Sequence, residues 1–400
     1  MIWIGSKKHS QDNICVKWRL KWGSSTFKLL GITFSVDLDQ MIVLNYKPRL
    51  KEIENTINRW SKQTLTPFGK ITIIKTLIIS KLNHLFLAIP GLDENMIRQL
   101  TSKIYSFIWD DKPDKVKRDL ISQDYCWGDL KMINLKAFIQ GLKLTWVRRL
   151  FHSESNWVKL YKYSEQIDFT ELAYLGPVKA SKNKFWKEVF DSWNNLKELH
   201  LPRYPGDVLS TSLWNNNSIK VGNSTVYYKN WAKRGIWTVN DLNIDNQGNI
   251  MSFQDFQQTY NLRPMFLQFY GKTLTVKKWL CYTGVNVHEK NPQPLMPFNI
   301  GLFLKFRKGS KDMYNVLNRK TVHISAEQKW ENILNKYDIE WKNIHFHCTK
   351  HTKNTKLCWF QYRIIHRILG TNTFLYKIKV KDCNLCTFCK EEPETIEHLL

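Results

Sequence analysis

The chain has 400 residues, with 60 Lys+Arg against 35 Asp+Glu, and a formal net charge of +25. At 43% hydrophobic and 14% aromatic residues its composition is globular, which excludes extended disorder as the main state and suits about two or three domains. No run of about 18 consecutive apolar residues exists, which excludes a membrane-spanning helix, and 8 cysteines are too few for a disulfide scaffold. A charge surplus of this size repels itself without a polyanionic counterpart. Nucleic acid is therefore the expected partner. An anionic membrane surface is the weaker candidate, because no strongly basic amphipathic helix stands alone. The cysteine usage fits an intracellular, reducing home. Met-Ile-Trp-Ile-Gly-Ser-Lys-Lys at the start lacks the layout of a signal peptide and reads as a strand entered mid-domain.

Residues 1–38 alternate apolar and polar, as in Val16, Trp18, Leu20, Trp22 and then Phe27, Leu29, Ile32, Phe34. This pattern predicts short β-strands forming the edge of a larger sheet. From Met41 the period becomes helical. Tyr46, Leu50, Ile53, Ile57 and Trp60 give one amphipathic helix. Pro67 then opens a second helix striped with Ile71, Ile74, Ile78, Leu82, Leu85 and Ile89, which Pro90-Gly91 ends. A third helix starts near Asp93, and a fourth over 135–150 turns Phe138, Leu142, Trp146 and Leu150 to one side. Residues 39–151 thus read as a helical bundle. A connector over 152–325 holds a helix around Trp186–Leu196, a loop over 210–223 and a capped helix after Ser252. Residues 326–400 add helices near Trp330 and Leu357. The fold class expected is mainly α, with a small N-terminal β-hairpin and a small C-terminal metal module.

Two segments carry the chemistry. Cys386-Thr-Phe-Cys389 followed by His398 has the spacing of a structural zinc site: two thiolates from one tight turn and an imidazole from the next element. Tetrahedral zinc wants a fourth ligand, which is either Cys383 or a residue past Leu400. Between Trp341 and Lys381 there is no Asp or Glu, while Lys350, Lys353, Lys356, Arg363 and Arg367 fall there with Trp359, Phe360 and Tyr362 interleaved. That combination suits phosphate contacts and base stacking, although the rings are more often core than platform. His345, His347, Cys348 and His351 read as basic polar surface rather than ligands. Asp110-Asp111 reads as a helix-ending turn rather than a two-metal carboxylate pair. A magnesium nuclease using Asp110, Asp111 and Asp114 is a third, lesser alternative. No glycine-rich phosphate loop or Gly-x-Ser-x-Gly elbow occurs, so no catalytic residue is assigned.

This order of motifs resembles the C-terminal portion of the reverse transcriptase polyprotein of non-LTR (LINE-type) retrotransposons. Phe27-Lys-Leu-Leu-Gly31-Ile resembles the strand that follows that family's active-site hairpin. Trp60, Pro67, Gly69, Lys70, Ile71, Ile73 and Lys75 match one thumb motif, and Phe107, Ile108, Trp109 and Lys112 match another. Gly128 to Leu135 is similar to a Gly-Gly-Leu turn, and Trp231 to Leu242 to a downstream element. Cys386, Cys389, Glu394, Thr395 and His398 match the zinc-binding segment. The resemblance implies palm-remnant strands (1–38), a helical thumb (39–151), a connector (152–325) and a basic segment with a truncated zinc-binding tail (326–400).

It also implies a parent RNA-directed DNA polymerase using magnesium, while the catalytic aspartate hairpin is not in this chain. The fragment is then expected to be no enzyme alone. It would grip RNA, DNA or their hybrid in the nucleus or a cytoplasmic ribonucleoprotein, with Lys62, Lys70, Lys75 and Lys81 on the duplex backbone and the strand at Leu30-Gly31 near the primer end. The alternative expectation is a free-standing zinc-dependent structural or interaction protein derived from such an element.

Overall fold

The computed structural model describes residues 26–152, 155–165, 172, 174, 183–198, 208–242, 244, 249–263, 266–284, 309–318, 324–336 and 338–400. Among these the chain is mainly helical, with one small two-stranded antiparallel sheet near the N-terminus. The strands expected over residues 2–22 and the prolines at Pro202, Pro205 and Pro297 lie outside the described residues. The chain divides into two compact units, Met1–Lys136 with Asn318–Leu400, and Ala137–Leu317.

In the first unit, β1 (Thr26–Leu29) and β2 (Ile32–Ser35) pair Thr26 with Ser35 through Leu29 with Ile32. Leu30 and Gly31, expected within a strand, are instead the turn between them. Both have positive φ, 49° and 80°, the pairing that matches a two-residue hairpin to the twist of its strands. Asn45 on α1 (Leu38–Trp60) fastens the hairpin: its side chain accepts from the Thr33 N–H at 2.8 Å and donates to the Thr33 carbonyl at 2.7 Å.

Thr66 caps α2 (Pro67–Ile73) with Pro67 at its first position. The single helix expected from there to Ile89 is interrupted. A π-helical stretch (Ile74–Ile78) and a 3-10 turn (Ile79–Lys81) precede α3 (Asn83–Ala88). The β-branched run Ile71-Thr72-Ile73-Ile74 crowds the α-helical turn. The wider turn brings Ile78 and Ile79 both into the core. The predicted stripe itself is fully buried, from Ile71 to Ile89. Asp93 caps α4 (Glu94–Trp109), which ends at Asp110 and Asp111, both left-handed with φ of 53° and 58°. These aspartates close a helix, as their position suggests. A short α5 (Arg118–Ile121) follows.

The second unit holds α6 (Leu135–His152), α7 (Asn156–Glu165), α8 (Lys184–Glu198), α9 (Lys229–Ala232), α10 (Phe253–Tyr260), α11 (Phe266–Thr283) and α12 (Ser310–Leu317). On α6 the buried face is offset from the predicted one: Ile139, Leu144, Val147 and Leu150 are buried, whereas Phe138, Leu142 and Trp146 are half-buried. Lys143 lies on that buried face, fully buried, 3.0 Å from Glu188 and 4.1 Å from the Phe185 ring. The Ser- and Asn-rich stretch over 210–223 is irregular but is not a mere crossing, because it carries Leu213, Trp214 and Ile219 into a core with Trp231, Ile236 and Phe256. Lys272 donates to the carbonyls of Leu213 and Ile219 inside that core, and burial pulls its pKa to about 8. The stretch from Trp231 to Leu242 is structural. The Asp241 carboxylate accepts from the N–H groups of Trp237 and Thr238 at 2.8 and 2.7 Å, and Trp231, Ile236, Val239 and Leu242 fill the core.

The chain then returns to the first unit with α13 (Ser325–Leu334), α14 (Trp341–Lys350), α15 (Thr355–Ile365), α16 (Asn372–Lys377) and α17 (Ile396–Leu399). Helix α15 packs against α2 and the end of α4, with Tyr362 edge-on to Phe68 at 6.2 Å and Trp359 6.1 Å from Trp109.

Candidate metal centre and basic surface

The C-terminal turn is built by local hydrogen bonds. The Cys386 N–H donates to the Glu392 carbonyl at 2.8 Å, and the Lys390 N–H returns to the Cys386 carbonyl at 2.9 Å. Leu385 and Pro393 bridge across the base of the turn, and Lys390 takes φ of 61° at its tip. The Phe388 N–H points at the Cys386 sulfur, 3.4 Å away. Thr395 caps α17 by accepting from the His398 N–H at 3.2 Å, which turns the imidazole back toward the cysteines. The donor atoms of Cys386, Cys389 and His398 lie within 4.8 Å of one another, so the group could hold a metal ion. His398 Nε2 is 3.3 Å from Cys389 Sγ, and its Nδ1 is 3.3 Å from the Glu392 carboxylate. A carboxylate on the far ring nitrogen is the arrangement that fixes the tautomer of a ligating histidine. Backbone N–H groups of Glu392 and then Glu391 hold the Cys389 thiol down at about 7. Cys383 is exposed and is not brought into this group.

Glu394, whose role composition and spacing did not reveal, ties the turn to α16. Its buried carboxylate accepts from the Asn372 N–H at 2.9 Å, the Asn372 side chain at 2.9 Å, and the N–H and hydroxyl of Thr387 at 3.0 Å each. The Thr387 N–H, foremost, holds its carboxyl below the ordinary range. A glutamate between a Cys-x2-Cys turn and its histidine is the one available sequence signal. Arg367 adds a second tie. Its guanidinium pairs with Glu397 on α17 and lies 4.8 Å from the Trp330 ring. Arg367, expected on nucleic acid, is therefore a strut between α15 and the metal turn.

Among the expected thumb contacts, Lys62 is exposed and Lys75 half-buried, its pKa lowered first by burial and then by Lys131. Lys81 lies 3.6 Å from Glu52. Lys70 is a correction. It is 1% exposed, pairs with Asp110 and donates to the Ile108 carbonyl at 3.4 Å. Its ammonium closes the C-terminus of α4, where carbonyl oxygens attract a cation, and is not offered to a phosphate. Asp110→Ala would leave that ammonium buried with the carbonyl alone. It should cost about 1–3 kcal/mol, toward the lower end because the Asp110 side chain is 63% exposed. Denaturant melting checks this, and an unchanged midpoint would show that the pair contributes nothing.

Lys350, Lys353 and Lys356 are exposed and Arg363 half-exposed along α14 and α15. Of the interleaved rings, Tyr362 is core, Trp359 half-buried and Phe360 47% exposed. His345, expected at the surface, is buried and bonded to Glu327 at 2.7 Å. It sits over Gly128, where an added Cβ would lie 2.7 Å from its ring. His347 and His351 are exposed, and the Cys348 side chain lies outside the described residues.

No protein-family model matches the chain. Its chemistry therefore rests on its own residues. Among the described residues no helix is long and apolar enough to cross a membrane.

Proposed function

We propose that this chain is a nucleic-acid-gripping fragment of a non-LTR retrotransposon reverse transcriptase, holding template–primer, template RNA or target DNA. The observation that carries the reading is the acid-free basic stretch on α14 and α15, which folds into one unit with the helices that resemble a thumb. Exposed Lys62 and the exposed Lys350, Lys353 and Lys356 present cations, with no acidic neighbour in sequence to balance the second set. Such a surface binds through phosphates, with affinity that falls steeply with salt and little dependence on sequence. The donor set of two thiols and an imidazole favours zinc over harder cations. Cys386, Cys389 and His398 would hold it, and bound zinc would lock the turn that Glu394 and Arg367 brace against α15 and α16.

Fluorescence anisotropy with a labelled, primed RNA–DNA duplex tests the reading. Binding should weaken about 10³-fold or more between 50 and 200 mM salt if about six phosphates are neutralised. No binding at low salt would end the proposal, and nucleotide incorporation by the chain alone would end the claim that it is not a polymerase. The metal turn by itself favours a second reading, a zinc-dependent structural or interaction protein derived from such an element. Zinc binding with no affinity for any nucleic acid would select that one.

A further inference from the structure

The acids in the loop after α4 are engaged, and its lysines are not. Asp110 pairs with Lys70, Asp111 accepts from Ser106, and Asp114 pairs with Arg118 at 2.7 Å. Lys112 and Lys115 are exposed and have no ion-pair partner among the described residues. The acids and bases are interspersed along this segment, so its local composition is close to neutral.

Helix α15 brings a third cation to the same place. The ring of Trp109, the last residue of α4, lies 6.1 Å from Trp359, and the Arg363 guanidinium sits 5.9 and 5.8 Å from the rings of Trp359 and Phe360. Arg363 makes no ion pair among the described residues, and its Nε–H is buried without an acceptor. Lys115 is exposed along its length, but partial enclosure of its ammonium first, and then the charges of Arg363, Lys112 and Lys70, press its pKa down, with Asp110 alone opposing. Cations that converge while Asp110 and Asp114 are already in ion pairs destabilise the free protein by mutual repulsion. A donor buried without an acceptor adds to that cost. A bound anion relieves the repulsion.

We propose that Lys112, Lys115 and Arg363 form a binding site for successive backbone phosphates of a nucleic-acid strand. The site rests on the nucleic-acid reading above and gives it an address at the junction of α4 and α15. The half-exposed Phe360 ring beside Arg363 favours a nucleic acid over a lipid headgroup, because a base can stack there.

The test compares the parent with three variants on labelled, primed RNA–DNA duplex across a salt series. K112Q/K115Q/R363Q should bind about tenfold or more weakly at 0.1 M salt, and its slope of log affinity against log salt should fall by about 2–3. A control that removes as many exposed cations from the second unit, K229Q/K233Q/R234Q, should keep the slope within about one of the parent. K112Q/K115Q changes only exposed side chains and should lose a slope of about 2, so the site is tested even if the Arg363 variant fails to fold. Parent binding with both site variants matching the control overturns this site and leaves the broader reading standing. A parent that binds no duplex overturns both. Loss of binding to phosphatidylserine vesicles with duplex affinity unchanged would assign the site to a membrane instead, and would also overturn the proposal.

Discussion

On the zinc reading proposed above, Cys386→Ser should release the metal outright. Parent protein purified in zinc-supplemented medium is expected to carry about one zinc per chain by elemental analysis, and the variant less than about a tenth of that. Structural zinc contributes about 10–16 kcal/mol of apparent binding at neutral pH, and one lost thiolate removes a large share of it. Cys386 is also the best-placed ligand to lose, being 2% exposed with the Phe388 N–H already directed at its sulfur. Cys383→Ser is the control. It is exposed and outside the group of three donors, so its zinc content should equal the parent's. Metal retained by Cys386→Ser, or lost by Cys383→Ser, would redraw the ligand set. Hydrogen exchange should show the consequence in place: faster exchange over residues 372–399, where Glu394 bonds Asn372 and Thr387, and little change in α1 and α4.

The metal turn could be read from sequence because its donors and their geometry are local. Cys386, Cys389 and His398 fall within one stretch of 13 residues, and the bonds that shape the turn around them, from Cys386 to Glu392, Lys390 to Cys386 and His398 to Thr395, stay inside that stretch. The apolar stripe from Ile71 to Ile89 was legible for the same reason, since helical spacing alone decides which side is buried. The same arithmetic exposes the error at Lys70. It stands four residues before Ile74 and so lies on the apolar stripe, not beside it. A lysine there must find a buried partner, and it finds Asp110. Contacts between distant segments left no trace in the pattern. Arg367 meets Glu397, Lys143 meets Glu188, and Lys272 meets the carbonyls of Leu213 and Ile219. Lys143 and Lys272 are used as core, against the usual habit of charged side chains.

Asp129→Asn should stabilise the protein by about 2–4 kcal/mol at pH 7. Asp129 is 2% exposed, and neither carboxylate oxygen has a hydrogen-bond partner. Burial foremost, then the charge of Asp124, and weakly that of Glu327, push its pKa up to about 9; the Gln123 backbone opposes without reaching hydrogen-bond geometry. A folded pKa raised above the unfolded value of about 3.9 means that the folded state holds a proton the unfolded state has released. Stability is then greatest below about pH 4 and falls by about 1.4 kcal/mol per pH unit up to about 9.

His366 works in the other direction. It is buried against Tyr362, with ring centroids 4.1 Å apart, and burial first, then His345, lowers its pKa to about 4, against a pull from the Gly128 carbonyl. The unfolded histidine takes a proton near pH 6.5, so this group's contribution is lost as pH falls from about 6.5 to about 4. In the parent the two slopes cancel between about pH 4 and 6.5, and Asp129 alone lowers stability above that. Asparagine has nearly the shape of the neutral acid and does not titrate. The variant should therefore melt later than the parent at pH 8 and no later at pH 4.5. It should also acquire a new loss of stability below pH 6.5, as the His366 slope stands unopposed. Melting curves across this range decide it. Parallel profiles for parent and variant would mean that Asp129 is ionised and paired in the folded state, and that the buried junction between the Gly128 turn and α15 carries no proton.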